Sequence, residues 1–399
     1  MSDKVLLLHG KVVVEDTIIP DGYILIQDGL IASVGNADDL PQVDPDTSVI
    51  ELKSGHAVLP GFIDLHIHGA GGADTMDGTL QALETIAGIL PAEGTTSFLA
   101  TTITQEKGEI CHALQNAAAY METYNTPGKA EILGIHLEGP FINPVTKGAQ
   151  PEKYIVQPTI ELFEEWQKGS GHSIRLVTLA PEQKGGLELI RHLADQGVVA
   201  SIGHSDATYS KCMEAVEAGA RHVTHLYNGM RGLHHREPGV VGAALLLEQL
   251  KMEMIVDGVH SAPESVKLAI RAKGVDGTIL ITDAMRAKCL KDGQYDLGGQ
   301  EVFVEDGRAL LSNGTLAGSI LRMNHSLKNV IEFSGVTLQE AVKMASENPA
   351  RQLNIFHRKG SIAPGKDADF VIVDENLEVQ LTFCRGKEAF LKGKPSQAD

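Results

Sequence analysis

Eight short apolar runs, most of them followed by a loop and a helical stretch, constrain the fold of this 399-residue chain more than any other feature. They fall at residues 62–68, 96–101, 132–138, 174–180, 198–204, 222–228, 252–258 and 278–284. Most are almost continuously apolar, as strands are when both faces of a parallel sheet are covered. Helical periodicity occupies 79–90, 106–124, 187–196, 210–218 and 263–273 between them. Eight alternating units predict an α/β fold closed into a (β/α)8 TIM barrel. An open, doubly wound sheet is the alternative, and the lack of a GxGxxG turn after any strand lowers it.

The ends of the chain read differently. Residues 1–57 show short strands and tight turns, including Asp28-Gly29 and Gly35-Asn36, without a helical period. Helical stretches at 320–333 and 338–345 come after the eighth run, and strands return at 370–373, 378–383 and 388–391. We expect the two ends, 1–57 and 360–399, to pair into a small β-sandwich domain beside a barrel of residues 58–359. A net charge of -18 counts against nucleic-acid or membrane-surface binding. Cys111, Cys212, Cys289 and Cys384 have no CxxC spacing and read as free thiols. The apolar run 5–8 is too short for a signal peptide, and no run reaches transmembrane length. A cytoplasmic protein is expected.

Chemistry concentrates at one end of the strands. Ile63, Leu65 and Ile67 alternate with Asp64, His66 and His68, so the two histidines leave a strand on the same face. The third run ends in His136 and Glu138, the fifth in His204, the sixth carries His225, and the eighth ends in Asp283. In a barrel of this kind the C-terminal strand ends form the catalytic face. Nitrogen and carboxylate ligands there suit a divalent metal with a position open to water. Asp283, a carboxylate beside such a water, has the chemistry to take its proton and return it to a leaving nitrogen. Together these predict an amide hydrolase. A second cluster, Asn228-Gly229, Arg236, and His260 after Asp257, is suited to an anion through charge-assisted hydrogen bonds.

The stretches Leu59-Pro60-Gly61-Phe62-Ile63-Asp64-Leu65-His66-Ile67-His68-Gly69, His136-Leu137-Glu138-Gly139-Pro140-Phe141, Gly203-His204-Ser205-Asp206-Ala207, Thr224-His225-Leu226-Tyr227-Asn228-Gly229-Met230, His235-Arg236-Glu237-Pro238-Gly239, Asp257-Gly258-Val259-His260, Thr282-Asp283-Ala284-Met285 and Leu316-Ala317-Gly318-Ser319 occur in this order. They resemble the amidohydrolase superfamily, and within it the branch that removes acetate from N-acetylglucosamine 6-phosphate in amino-sugar catabolism and cell-wall sugar recycling. The resemblance implies Glu138, His204 and His225 as the main metal ligands. It implies His66 and His68 as an extra pair for a second ion, with Glu138 between the two, and Asp283 as catalytic acid/base. One or two divalent ions per subunit are expected, and the nitrogen and carboxylate ligands suit zinc, iron and others, zinc or iron first. Further implied are substrate contacts at Ala149, Gln150, Asn228, Gly229, Arg236, Asp257 and His260, and a closing loop at Leu316, Ala317 and Gly318. Gln150 stands where some members carry a histidine; its amide donates a hydrogen bond but carries no charge. The resemblance further implies a homodimer in which Arg236 reaches the neighbouring site. Hydrolysis of cyclic amides or N-acyl amino acids stays open as a second reading, and a barrel that has lost its chemistry as a third.

Overall fold

The computed structural model describes residues 4–394; residues 1–3 and 395–399, at the two ends of the expected terminal domain, lie outside the described residues. Eight parallel strands in sequence order form the central sheet: Phe62–Ile67, Thr95–Thr102, Glu131–Glu138, Ile174–Leu179, Val199–Ile202, His222–Val223, Lys251–Ile255 and Thr278–Ile281. Helices Leu80–Ile89, Lys107–Thr123, Ile160–Gly169, Gly186–Asp195, Tyr209–Ala218, Gly239–Leu246, Pro263–Lys273 and Met323–Ser334 succeed the strands in turn. The sheet closes between its first and eighth members. Ile67 bridges Ala284 in parallel, the Asp283 N–H donates to His66 O at 2.8 Å, and the His68 N–H donates to Ala284 O at 2.9 Å. This is the (β/α)8 barrel expected from the eight apolar runs.

Local chemistry explains several boundaries. Thr79, Thr159 and Thr208 each cap a helix by accepting a hydrogen bond from the main-chain N–H three residues on. Leu83, Ile86 and Ala87 of the first helix, and Leu189, Ile190 and Leu193 of the fourth, bury the stripe that a 3.6-residue period produces. Four strands end two or more residues short of their apolar runs, one of them the seventh, which stops at Ile255 rather than 258. The fifth stops at Ile202 rather than 204, the sixth at Val223 rather than 228, and the eighth at Ile281 rather than 284. In the fifth, sixth and eighth the cause is backbone conformation: His204, His225, Tyr227 and Asp283 all have positive φ, at 46°, 29°, 79° and 49°, which a strand ladder does not accept.

The chain ends form a separate sheet. Its order is Lys387–Leu391, Val379–Cys384, Phe370–Val373, Ala57–Pro60, Lys4–Val13, Ile18–Gln27 and Leu30–Asn36, with Ser48–Glu51 branching from Lys4–Val13. The two termini meet where Ala57–Pro60 runs antiparallel to Phe370–Val373, strands that flank an apolar cluster containing Leu7, Val12, Ile24, Phe370 and Phe383. A third, three-stranded sheet, Gly293–Leu297, Gln300–Glu305 and Arg308–Leu311, was not anticipated. Its turns, Gly298-Gly299 and Asp306-Gly307, are hairpin signals present in the sequence. It leads into Leu316, Ala317 and Gly318, and it packs Leu297, Val302 and Ala309 against Ile103, Met285 and Ala317.

Candidate active site

Side chains from five barrel strands converge at the C-terminal end of the barrel. Glu138 Oε1 lies 3.1 Å from His204 Nε2 and 3.2 Å from His225 Nε2, and the two histidine nitrogens are 3.1 Å apart. Four ligands around one ion at about 2.0–2.2 Å stand about 3.3–3.6 Å from one another, so this triangle is close to one face of such a tetrahedron. A second group adjoins it. Asp283 Oδ1 lies 3.3 Å from both His66 Nε2 and His68 Nε2. Glu138 spans the two groups, with Oε1 3.4 Å from His66 Nε2 and Oε2 3.3 Å from His68 Nε2.

The donor set fits a divalent cation. His204 Nδ1 faces the Thr146 carbonyl at 3.0 Å and donates to it, which leaves Nε2 as the lone-pair nitrogen. His66 Nδ1 donates to Glu253 Oε2 at 3.0 Å, and His66 Nε2 is buried without a hydrogen-bond partner. An orphaned, fully buried imidazole nitrogen aimed at two carboxylates is well suited to a metal ion. The field is strongly negative. Burial alone would depress the pKa of His68, but hydrogen bonds to Asp283 and Glu138 outweigh it and lift it to about 9. His66 is also driven well above the usual imidazole range, against burial, by the charges of Asp283, Glu138 and Glu253. Burial opposes ionisation of Glu138 and Asp283, yet the His66 charge and hydrogen bonds from the ligand histidines hold both below the ordinary carboxylate range. A divalent cation competes for the same lone pairs and releases those protons.

The backbone supports the arrangement. Positive φ at His204, His225 and Asp283 costs on the order of 1–3 kcal/mol each, and such conformations cluster at functional sites. Gly229 has φ +55, and a Cβ there would sit 2.9 Å from His204 Nδ1, so only glycine lets this turn pass behind the ring.

A cavity of about 210 Å³ opens onto these groups. Of the candidate residues, His68, Glu138, Ala149, Gln150, His204, His225, Asn228, Gly229, His260, Asp283, Leu316 and Gly318 line it. His66 lies beneath, fully buried. Ala317 is buried behind the wall against Ile103 and Met285. Asp257 stands behind His260. Its Oδ2 accepts from His260 Nδ1 at 2.6 Å, and its Oδ1 accepts from the main-chain N–H of Val259 and of His260, each at 2.8 Å. Burial disfavours both charges of this pair, but their mutual hydrogen bond raises the His260 pKa and lowers that of Asp257. Arg236 is not part of the cavity formed by this chain: it is exposed on a loop, with Nη1 3.0 Å from His235 Nε2.

Gln150 is engaged within the protein. Its Nε2 donates to Glu138 Oε2 at 2.8 Å, and its Oε1 accepts from the Thr104 N–H at 2.8 Å. Glu253, on the seventh strand, escaped the sequence reading although it is fully buried directly below the histidines. Its neighbours Met252, Met254 and Ile255 mark a covered strand, and a carboxylate inside such a run was the available signal. Leu297, from the unanticipated sheet, also lines the cavity.

The profile of the Amidohydrolase family matches residues 57–389. The N-acetylglucosamine-6-phosphate deacetylase of Bacillus subtilis is 49% identical over 399 residues, covering 100% of both chains. The N-acetylgalactosamine-6-phosphate deacetylase of Escherichia coli O157:H7 is 38% identical over 379 residues, 95% of this chain and 97% of that protein. Among solved structures, a mutant N-acetyl-D-glucosamine-6-phosphate deacetylase from Mycobacterium smegmatis, in complex with N-acetyl-D-glucosamine-6-phosphate, superposes with a TM-score of 0.90 at 31% identity, over 97% of this chain and 99% of that one.

Proposed function

The chain belongs to the amidohydrolase family, and from that membership we propose that it hydrolyses N-acetylglucosamine 6-phosphate to glucosamine 6-phosphate and acetate, in amino-sugar catabolism and cell-wall sugar recycling. The observation that carries this reading is the convergence of Glu138, His204, His225 and Asp283 on one cavity that His260, Asn228 and Gly229 also line.

Glu138, His204 and His225 would hold a divalent ion, zinc or iron, and His66, His68 and Asp283, with Glu138 between, would hold a second. Such an ion supplies Lewis acidity, polarising a carbonyl oxygen and making a neighbouring water more acidic. The remaining chemistry falls to the chain. Asp283, ionised at neutral pH, takes a proton from the attacking water as its oxygen adds to the acetyl carbon. It then passes that proton to the sugar nitrogen as the C–N bond breaks, and acetate and the free amine result. His260, held by Asp257 and inclined to keep a proton, offers a cationic donor to an anionic substrate. Asn228 and the Gly229 main chain position the ring. Gln150 holds Glu138 rather than meeting the substrate with a charge.

Arg236 belongs to this reading as a phosphate contact supplied to the neighbouring site of a homodimer. Its exposure supports that role, and so does the exposure of the apolar Leu233, three residues before it, at 58%. The division into a barrel of residues 58–359 and a β domain of 1–57 and 360–399, its boundary falling within the strand Ala57–Pro60 that joins the terminal sheet, and a cytoplasmic location, complete the proposal. Among the described residues no helix is long and apolar enough to cross a membrane.

The test is acetate release from N-acetylglucosamine 6-phosphate, N-acetylgalactosamine 6-phosphate, N-acetylglucosamine and an N-acyl amino acid, by protein as purified, after chelation, and after reloading with zinc or iron. The proposal expects the first sugar to give the highest kcat/KM, with activity lost on chelation and restored by metal. Highest activity on the galactosamine epimer or on an N-acyl amino acid would overturn the substrate assignment, and full activity after complete metal removal would overturn the chemistry.

A further inference from the structure

Glu253, like Glu138, is a buried carboxylate that touches both halves of the site. Its Oε2 accepts from His66 Nδ1 at 3.0 Å and from the His225 main-chain N–H at 3.1 Å. Its Oε1 accepts from His222 Nε2 at 3.0 Å. Glu253 and the rings of His66 and His222 have no exposure to solvent. This is an expensive place for a carboxylate, and burial pushes its pKa up; the charge of His66 and the hydrogen bonds from the two imidazoles overcome that and hold it well below the usual range. Packing alone would be better served by an apolar residue of this size.

We propose that Glu253 is a positioning residue that sets the affinity of the ion position at His66 and His68 while anchoring the main chain that carries His225. This deepens, and rests on, the reading that the chain holds two ions. The two contacts differ in kind. On His66 the carboxylate meets the ring, so its charge fixes the tautomer with hydrogen on Nδ1 and raises the basicity of Nε2. On His225 it meets only the main chain, and the ring nitrogen Nδ1 of His225 has no partner. A neutral oxygen in the same place would therefore keep the His225 anchor but weaken His66 as a ligand. His222 makes that exchange structurally feasible. Its Nδ1 is buried without a partner, so the ring can move its proton there and accept at Nε2. Glu253→Gln then retains all three contacts, with amide oxygen toward His66 and His225 and amide nitrogen toward His222.

The experiment is titration of metal-free, full-length protein with zinc chloride, recording heat and bound equivalents, with elemental analysis of the dialysed product. Wild type is expected to take up two equivalents. In Glu253→Gln the second should bind about 10–100-fold more weakly, with the first within about threefold of wild type. A purely structural role would move the unfolding midpoint of the metal-free protein and both affinities together. Wild type that takes up a single equivalent overturns the two-ion reading and this proposal with it. Wild type with two equivalents and a folded Glu253→Gln with unchanged affinities, or with both weakened equally, overturns this proposal alone. If Glu253→Gln does not fold, Glu253→Asp, which keeps the charge but withdraws it by one methylene, is read against the same criteria.

Discussion

Gly229→Ala tests whether the turn behind His204 exists to hold that ring. The alanine meets two separate costs. Its φ of +55 lies in the left-handed region, which disfavours a Cβ by roughly 1–2 kcal/mol. The Cβ would also stand 2.9 Å from His204 Nδ1 and 3.2 Å from Thr146 O, the two ends of the hydrogen bond that orients the ring. Relaxing to an ordinary contact of about 3.5–4.0 Å needs a shift of about 0.6 Å or more, enough to break a bond worth about 1 kcal/mol. Catalytic constellations tolerate only about 0.5 Å of displacement. We therefore expect a stability loss of about 2–3 kcal/mol for the metal-free protein and metal affinity weakened about 10–100-fold. Gly148→Ala is the matched control. Its φ is +56, but the nearest atom to a Cβ there is His204 Cε1 at 3.5 Å, an ordinary contact. It should lose stability by the left-handed cost alone and keep its metal. The assay is urea unfolding of metal-free protein together with zinc titration of each variant. Equal metal affinities in the two variants would refute the reasoning.

Asp283→Asn should lower kcat by about 10²–10⁴ with little change in substrate binding, read by steady-state kinetics and by calorimetry with the phosphorylated sugar; near-normal turnover would remove Asp283 from its role. Arg236→Ala should raise KM for the phosphorylated sugar by about 10–150-fold, the loss of one charge-assisted contact, and leave the unphosphorylated sugar unaffected; equal losses on both would argue against phosphate recognition. The Asp257–His260 pair gives a pH signature. The His260 pKa is raised on folding, so its stabilising contribution is complete below its unfolded value of about 6.5 and fades as pH rises through the raised folded value; that of Asp257 is lowered, so its contribution is complete above about 3.9 and fades as pH falls through the lowered one. The excess stability of wild type over His260→Gln should therefore be largest between the two folded values and shrink on the alkaline side, and an excess that stays flat from acid to alkaline pH would contradict the pair.

The barrel was legible because its signal is local. An apolar run between two turns announces a covered strand, and an apolar stripe of helical period behind a threonine cap announces the helix after it. The ends of the fifth, sixth and eighth strands were not legible. The residues 204, 225 and 283 continue the runs in composition, and only their left-handed backbone shows that the ladder has stopped. The three-stranded sheet had turn signals that were available and passed over. Gln150 shows another limit. Its residue type allowed a substrate contact, and only the tertiary structure shows that Thr104 and Glu138 also hold its amide where it lines the cavity.

The sequence by itself determined the set of chemical groups and the end of the barrel on which they lie, since strand order and alternation decide both. The tertiary structure decided which groups meet. Glu253 and His66 are 187 residues apart and their ring-to-carboxylate contact is 3.0 Å; Arg236 resembles a phosphate contact in type and yet stands outside the cavity of its own chain. Hydrogen bonds and metal coordination act over a few ångströms, whereas residue order records only neighbours along the backbone, so a partner brought in by barrel closure leaves no local trace.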